Sequence, residues 1–220
     1  MKSFKDHQGL IATLDRANVD TDQIIPKQFL KKITRTGFGE HLFQDWRYLF
    51  DGKPDPKFEL NQDCFKGATI LVARNNFGCG SSREHAVWAI EQYGFRVVIA
   101  PNLKRGESII PGFADIFRSN SLKNGLLTLE LQEPEVEEIF HWVSRFKGLQ
   151  ARVELEHQRV TLLLPEEISF HFEIDSAIKH RLIHGLDEIG ITLQHVNDIT
   201  RFEESHDAQM VAFKMKSKGP

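Results

Sequence analysis

The first half of the chain alternates short apolar runs with turn-forming residues, and the second half carries stretches in which apolar and polar positions strictly alternate. Gly9 to Leu14 predicts a strand that runs into a polar loop, Asp15 to Asp22, and then Ile24-Ile25-Pro26. Between Phe29 and Phe50 apolar residues mix with Gly37 and Gly39, which predicts a mobile loop over Lys31–Gly39 and a short helix over His41–Leu49. Asp51 to Pro56 is a turn cluster. Thr69–Ala73 suits a buried strand, and Arg74–Ser82 is a polar loop bearing Gly78 and Gly80. A helix then opens near Arg83, with Ala86, Ala89, Ile90 and Tyr93 at i, i+3, i+4 and i+7. Gly94 reads as its C-cap, and Arg96–Ala100 returns as another buried strand. Strand, glycine loop, helix and strand make a βαβ unit.

Beyond it, Phe113–Ser121 predicts a helix and Leu126–Leu131 a strand. A helix from Pro134 carries Val136, Ile139, Phe140 and Val143 on one stripe and stops at Gly148. Alternation at Ala151, Val153, Leu155 and again at Val160, Leu162, Leu164 predicts a hairpin. Ile168, Phe170, Phe172 and Ile174 predict a half-exposed strand, and Ser176–His184 a helix, with a last segment to His195. The fold class is α/β, one domain over residues 1–202 with both parallel and antiparallel pairing, followed by a polar tail, 203–220, expected to fray. A split near Gly148 is the alternative, although no flexible linker marks it.

At 220 residues the chain can bury a core without staples. A net charge of −3 supplies no basic footprint, so neither nucleic acid nor an anionic membrane is expected as partner. No apolar run reaches the 18 residues of a membrane span, and Met1–Gln8 has no apolar signal segment. Cys64 and Cys79 are the only cysteines, which excludes a disulfide scaffold and favours a cytoplasmic address. An iron–sulfur cluster ordinarily takes three or four thiolates, so this chain cannot hold one alone.

Chemistry concentrates in Asn76–Ala86. Glycines permit tight turning there, and Ser81 and Ser82 fall where a helix starts, a place for capping hydroxyls and for anions. Arg83 is an unusual residue in a first turn, where acids are favoured, and makes sense facing a carboxylate or phosphate. An ordinary cap with a solvated arginine explains the spacing equally well. The dinucleotide fingerprint would need glycine where Arg83 stands, the P-loop needs Gly-Lys-Ser/Thr, and the G-x-S-x-G elbow is absent. His180 and His184 have zinc-ligand spacing but no third ligand, so a solvated helix face is the better reading. Cys79 is either a reactive thiol near a helix N-terminus or a packing residue. Asp20 and Asp22, within Asn18–Asp22, hold a loop by local hydrogen bonds, and could orient an arginine if the fold brings one near.

Together, Asn18–Pro26, Phe29–Leu30, Thr34–Gly39, His41–Trp46, Asn76–Ala86, Phe113–Phe117, Asn124–Leu127 and Gly185–Gly190 resemble the small subunit of 3-isopropylmalate dehydratase, in the aconitase superfamily. The resemblance implies a single swivelling β/β/α three-layer domain with a mixed sheet. It implies no cofactor in this chain, a large-subunit partner carrying a [4Fe–4S] cluster, and a small dicarboxylate substrate. The implied reaction is the isomerisation of 2-isopropylmalate to 3-isopropylmalate through isopropylmaleate, in leucine biosynthesis. Ser81 matches the catalytic base, and Ser82 and Arg83 match substrate-carboxylate contacts. Asp22 matches a residue supporting the site's charge network, with Asp20 and His85 in the same supporting set. Arg35 is the candidate for a second carboxylate clamp, and Phe29, Leu30 and Ile33 are the candidates for a specificity loop around the isopropyl branch.

Two departures stand out. Family members pass from the strand ending near Pro101 through about one residue into Phe113–Phe117, whereas eleven residues, Asn102 to Gly112, intervene here. Thr128 replaces a proline. Rival readings are a small subunit for citraconate, maleate or homoaconitate relatives, which Lys31 and Lys32 would suit, and a non-catalytic anion-binding or assembly module.

Overall fold

The structure is a computed structural model and describes residues 1–81 and 83–216, with side chains as far as 206. Two compact units divide at Gly185–Leu186. The first is built on an eight-stranded mixed sheet. Its strands are β1 (Asp6–Leu14), β2 (Ile70–Ala73), β3 (Val97–Arg105), β4 (Ser108–Ile110), β5 (Leu127–Gln132), β6 (Gln150–Glu154), β7 (Arg159–Leu162) and β8 (Ile168–His171). Helices α1 (Thr21–Ile24), α2 (Gln44–Arg47), α3 (Glu84–Tyr93), α4 (Asp115–Asn124), α5 (Glu133–Arg145) and α6 (Ser176–His184) complete it. The order is β4-β3-β2-β1-β6-β7-β8, with β5 also paired to β3.

The hydropathy pattern explains the two halves of this sheet. β1, β2, β3 and β5 pair in parallel, and all four residues of β2 and Val97–Pro101 of β3 are buried, as expected for strands covered on both faces. β6, β7 and β8 pair antiparallel, and Ala151 and Val153 are buried while Gln150 and Arg152 are exposed, the signature of one solvated face. The predicted hairpin is present with Glu154 opposite Arg159. α5 packs on β1, β3 and β5, and α3 packs on α1, α4 and the turn Gly39–His41. Among the described residues, eight phenylalanines, Phe38, Phe77, Phe113 and Phe117 included, are fully buried in a core that reaches the site loop.

Several boundaries differ from the sequence reading. The strand expected to stop at Ala100 continues to Arg105 and folds back as β4, so the eleven-residue departure is largely a β-hairpin. Gly106, at φ 62°, supplies the left-handed first position of its two-residue turn. The helix expected from Phe113 starts at Asp115, because Phe113 pairs with Phe77 in an isolated bridge and Ala114 is the N-cap. The helix expected over His41–Leu49 shrinks to α2, since Phe43 adopts φ 50°, a conformation rare for an aromatic residue, to place its ring in the core.

The second unit begins at Leu186 and contains α7 (Glu188–Leu193), capped by Asp187, and α8 (Val196–Lys216). The tail boundary expected at 203 falls within α8. Among the described residues, no helix is long and apolar enough to cross a membrane.

Candidate active site

Parallel pairing brings the loops after β1 and β2 out at the same edge of the sheet, the C-terminal strand ends where α/β folds place ligands. The two loops are laced together by backbone. Asn18 N–H donates to Asn75 O (3.0 Å), Gly78 N–H to Val19 O (2.8 Å) and Thr21 N–H to Cys79 O (3.0 Å). The second loop is also tied to the chain entering α4, with Phe77 N–H donating to Gly112 O at 2.8 Å. The long insertion therefore returns directly behind the site loop.

Two glycines are required by close approach. A Cβ on Gly78 (φ 75°) would lie 2.2 Å from the Phe117 ring, and one on Gly80 (φ 81°) would lie 1.9 Å from Asp20 Oδ2. Asp20 itself is the N-cap of α1. Its Oδ1 accepts from Asp22 N–H at 2.7 Å, and Gln23 Oε1 accepts from Asp20 N–H at 3.0 Å, a complete capping box. Thr21 is fully buried and its hydroxyl donates to Ser81 O at 2.9 Å.

That scaffold sets the charged groups. Asp22 Oδ1 accepts from Arg83 Nη1 at 2.6 Å, and Asp22 Oδ2 lies 3.1 Å from Lys27 Nζ. Asp22 is Arg83's only hydrogen-bond or ion-pair partner among the described residues, so the Nε and Nη2 donors of the fork have no protein acceptor among them. Arg83 occupies the N-cap place of α3 and makes no side-chain cap. The expected serine cap is accordingly not what opens this helix. Ser81 is an exposed bend two residues before that place, and Ser82 lies outside the described residues.

The other candidates spread along α3. His85 packs edge-on to Phe38 (5.2 Å) and against Trp88 (4.8 Å), and burial holds its imidazole below the ordinary range, with Arg83 adding to the effect and Glu84 opposing it. Arg35 stacks its guanidinium over Trp88 at 5.6 Å and pairs with no acid among the described residues. Phe29 stacks on His41 with ring centres 3.7 Å apart, Leu30 packs on the core, and Ile33 is fully exposed. Burial, and then Asp20, push the Cys79 thiol up, which favours the packing reading over the reactive one.

Asp22 and Arg83 are thus brought together across 61 positions, while Asp20 serves the backbone. Sequence reasoning missed Thr21, Trp88 and Gln92, whose partners lie in distant segments, and Lys27, which pairs with Asp22 five residues earlier. His180 and His184 face each other at 4.3 Å, but among the described residues no group of three or more His, Cys, Asp or Glu stands as a metal-ligand set.

Comparison with known proteins agrees with this architecture. Residues 1–134 match the aconitase C-terminal domain, and residues 188–210 match the C-terminal domain of 3-isopropylmalate dehydratase small subunits. A 3-isopropylmalate dehydratase small subunit from Desulforapulum autotrophicum is 55% identical over 203 residues, covering 92% of this chain and 95% of that one. The crystal structure of a 3-isopropylmalate dehydratase from Methanocaldococcus jannaschii superposes with a TM-score of 0.61 over 89% of this chain and 98% of that one. At 22% identity it speaks for the fold. On the family match and the close relative together, the chain belongs to the 3-isopropylmalate dehydratase small-subunit family of the aconitase superfamily.

Proposed function

We propose that this chain is the small subunit of a hydro-lyase that, with a large subunit, converts 2-isopropylmalate to 3-isopropylmalate through isopropylmaleate in the leucine pathway of the cytoplasm. The observation that carries the reading is 55% identity across nearly the whole length of a 3-isopropylmalate dehydratase small subunit. Dehydration removes a proton from the carbon next to one carboxylate and hydroxide from its neighbour. Rehydration then adds them in the reverse sense. In this reading the Ser81 hydroxyl oxygen takes the proton, and the Arg83 guanidinium, with Ser82, binds the adjacent carboxylate. A free serine alkoxide is far too basic to form unaided, so it depends on the positive field of Arg83 and the N-terminus of α3. Asp22 keeps Arg83 oriented through one nitrogen, which leaves the other edge of the fork for a substrate carboxylate.

Cys64 and Cys79 are this chain's only cysteines, fewer than the three or four thiolates a cluster ordinarily takes. A [4Fe–4S] cluster belongs, in this reading, to the large subunit, where it would supply the Lewis acid for the leaving hydroxyl. Lys32 donates to Gly37 O at 2.9 Å and lies 2.8 Å from His41 Nε2, so its charge is used within the loop. With Lys32 so engaged, Phe29, Leu30 and Ile33 suit an apolar branch, and exposed Lys31 is the cation left in the loop for a carboxylate.

The test is Ser81→Ala, assayed with the large subunit by the ultraviolet absorbance of isopropylmaleate. Loss of a general base lowers kcat by about 10²- to 10⁴-fold. Circular dichroism and subunit association should be unchanged, because Ser81 is exposed and its backbone carbonyl, which Thr21 bonds, is retained. Near-normal turnover would remove this serine from the chemistry.

A further inference from the structure

We propose that Gln92 is a positioning residue for substrate recognition: it pins the segment Phe29–Phe38 to α3, the same helix whose N-terminus carries Arg83. The inference rests on the functional reading above and extends it to a residue outside the site motif.

Gln92 grips the segment at two points. Its Nε2 donates to Arg35 O at 2.7 Å and its Oε1 accepts from Phe38 N–H at 2.9 Å, so one amide closes the end of the loop. Its neighbours on the same face reinforce the grip. Trp88, one helical turn earlier, lies under the Arg35 guanidinium and 5.7 Å from Phe38. Trp88 is itself oriented by Asn124, whose Oδ1 accepts from Trp88 Nε1 at 2.9 Å and whose Nδ2 donates to Glu84 Oε1 at 3.0 Å. Beyond Phe38 the chain is seated on the helix backbone, since a Cβ on Gly39 would lie 2.5 Å from the carbonyl carbon of Gln92. Glu84, Trp88 and Gln92 form one stripe at i, i+4 and i+8, so the reading loop and the proton-transfer loop are referenced to a single rigid rod.

The consequence is a population effect. A loop that leaves its docked position binds substrate with affinity reduced by the docked fraction, while the docked enzyme keeps its chemistry. Gln92→Ala removes both hydrogen bonds. It should raise KM for 2-isopropylmalate by about tenfold with kcat within about twofold, the signature of lost uniform binding. Gln92→Glu keeps an acceptor for Phe38 N–H but sets a carboxylate oxygen against Arg35 O, where both atoms accept, so its KM should also rise.

The experiment measures both parameters with the assembled two-subunit enzyme, together with trypsin cleavage after Lys31, Lys32 and Arg35 in the substrate-free enzyme. Cleavage of a transiently opened segment follows its open population, so cleavage should rise in step with KM and in the same order of variants. Faster cleavage with unchanged KM would show a pinned loop that does not read substrate, and would overturn the proposal. So would unchanged cleavage, or a fall in kcat at constant KM. Native enzyme inert toward 2-isopropylmalate would instead overturn the functional reading and this proposal with it, a result visible before any variant is made.

Discussion

Gly80→Ala separates backbone strain from side-chain conflict at the site, because Gly52 offers an internal control. Gly80 and Gly52 have φ of 81° and 80°, yet nothing lies within 4 Å of a Cβ on Gly52, whereas one on Gly80 would overlap the Asp20 carboxylate. Placing an ordinary residue in the left-handed region costs about 1–2 kcal/mol, and Gly52→Ala should show that alone. At Gly80 the carboxylate must also leave its capping geometry, adding about 1 kcal/mol. The total of about 2–3 kcal/mol corresponds to a Tm lower by about 5–10 °C in a chain of this size. Urea unfolding should show both variants with the native m-value and a lower midpoint. The decisive measurement is the cycle with Asp20→Ala. Without the carboxylate, Gly80→Ala should cost no more than Gly52→Ala, a coupling of about 1 kcal/mol. Equal costs for Gly80→Ala and Gly52→Ala in the native background would refute the contact.

Ile33→Ala should lower kcat/KM for 2-isopropylmalate by about 10- to 200-fold relative to an analogue lacking the branch, with Tm moved little. Full exposure leaves Ile33 no packing to lose, unlike Phe29 and Leu30, whose alanine variants should also lower Tm. A constant substrate ratio for all three would remove the loop from specificity. His7, His41 and His85 are each held below the ordinary imidazole range, first by burial. The unfolded chain binds their protons below about pH 6.5 while the folded one resists, so their stabilisation is complete above that pH and is lost as pH falls through the folded values. Tm should therefore decline from about pH 7.5 to about pH 5.5, and His85→Phe should flatten the decline; a flat native profile would contradict it.

Much of the fold was legible because parallel strands covered on both faces leave unbroken apolar runs, as at Ile70–Ala73, and a solvated face leaves alternation, as at Gln150–Glu154. The β3–β4 hairpin was not legible, since Asn102–Gly112 carries neither pattern and its two arms pair with each other, Leu103–Arg105 against Ser108–Ile110. Phe43 was misjudged for a different reason: its helical surroundings outvoted a core position that needs φ 50°. At the site, the glycine–serine–arginine loop and the Asn18–Asp22 cluster could each be seen, and their meeting could not. Gln92 carried no local signal at all, because an exposed glutamine on a helix looks the same whether or not a loop rests on it.

That meeting explains why a cation can stand where Arg83 does. The N-terminal end of α3 disfavours positive charge, so Arg83 needs an acid from elsewhere. Asp22 provides it at 2.6 Å, but only if α1 is held so that its first turn faces α3. Asp20 holds α1 through its capping box, and Gly80 lets Asp20 sit against the site loop, where any side chain would displace it. Thr21 closes the circuit by donating to Ser81 O, fixing the serine relative to the same helix turn. The order of dependence runs from Gly80 to Asp20 to Asp22 to Arg83. On that order, Gly80→Ala should raise KM for 2-isopropylmalate in the assembled enzyme as well as lower Tm, and a lowered Tm with unchanged KM would break the order of dependence before Arg83.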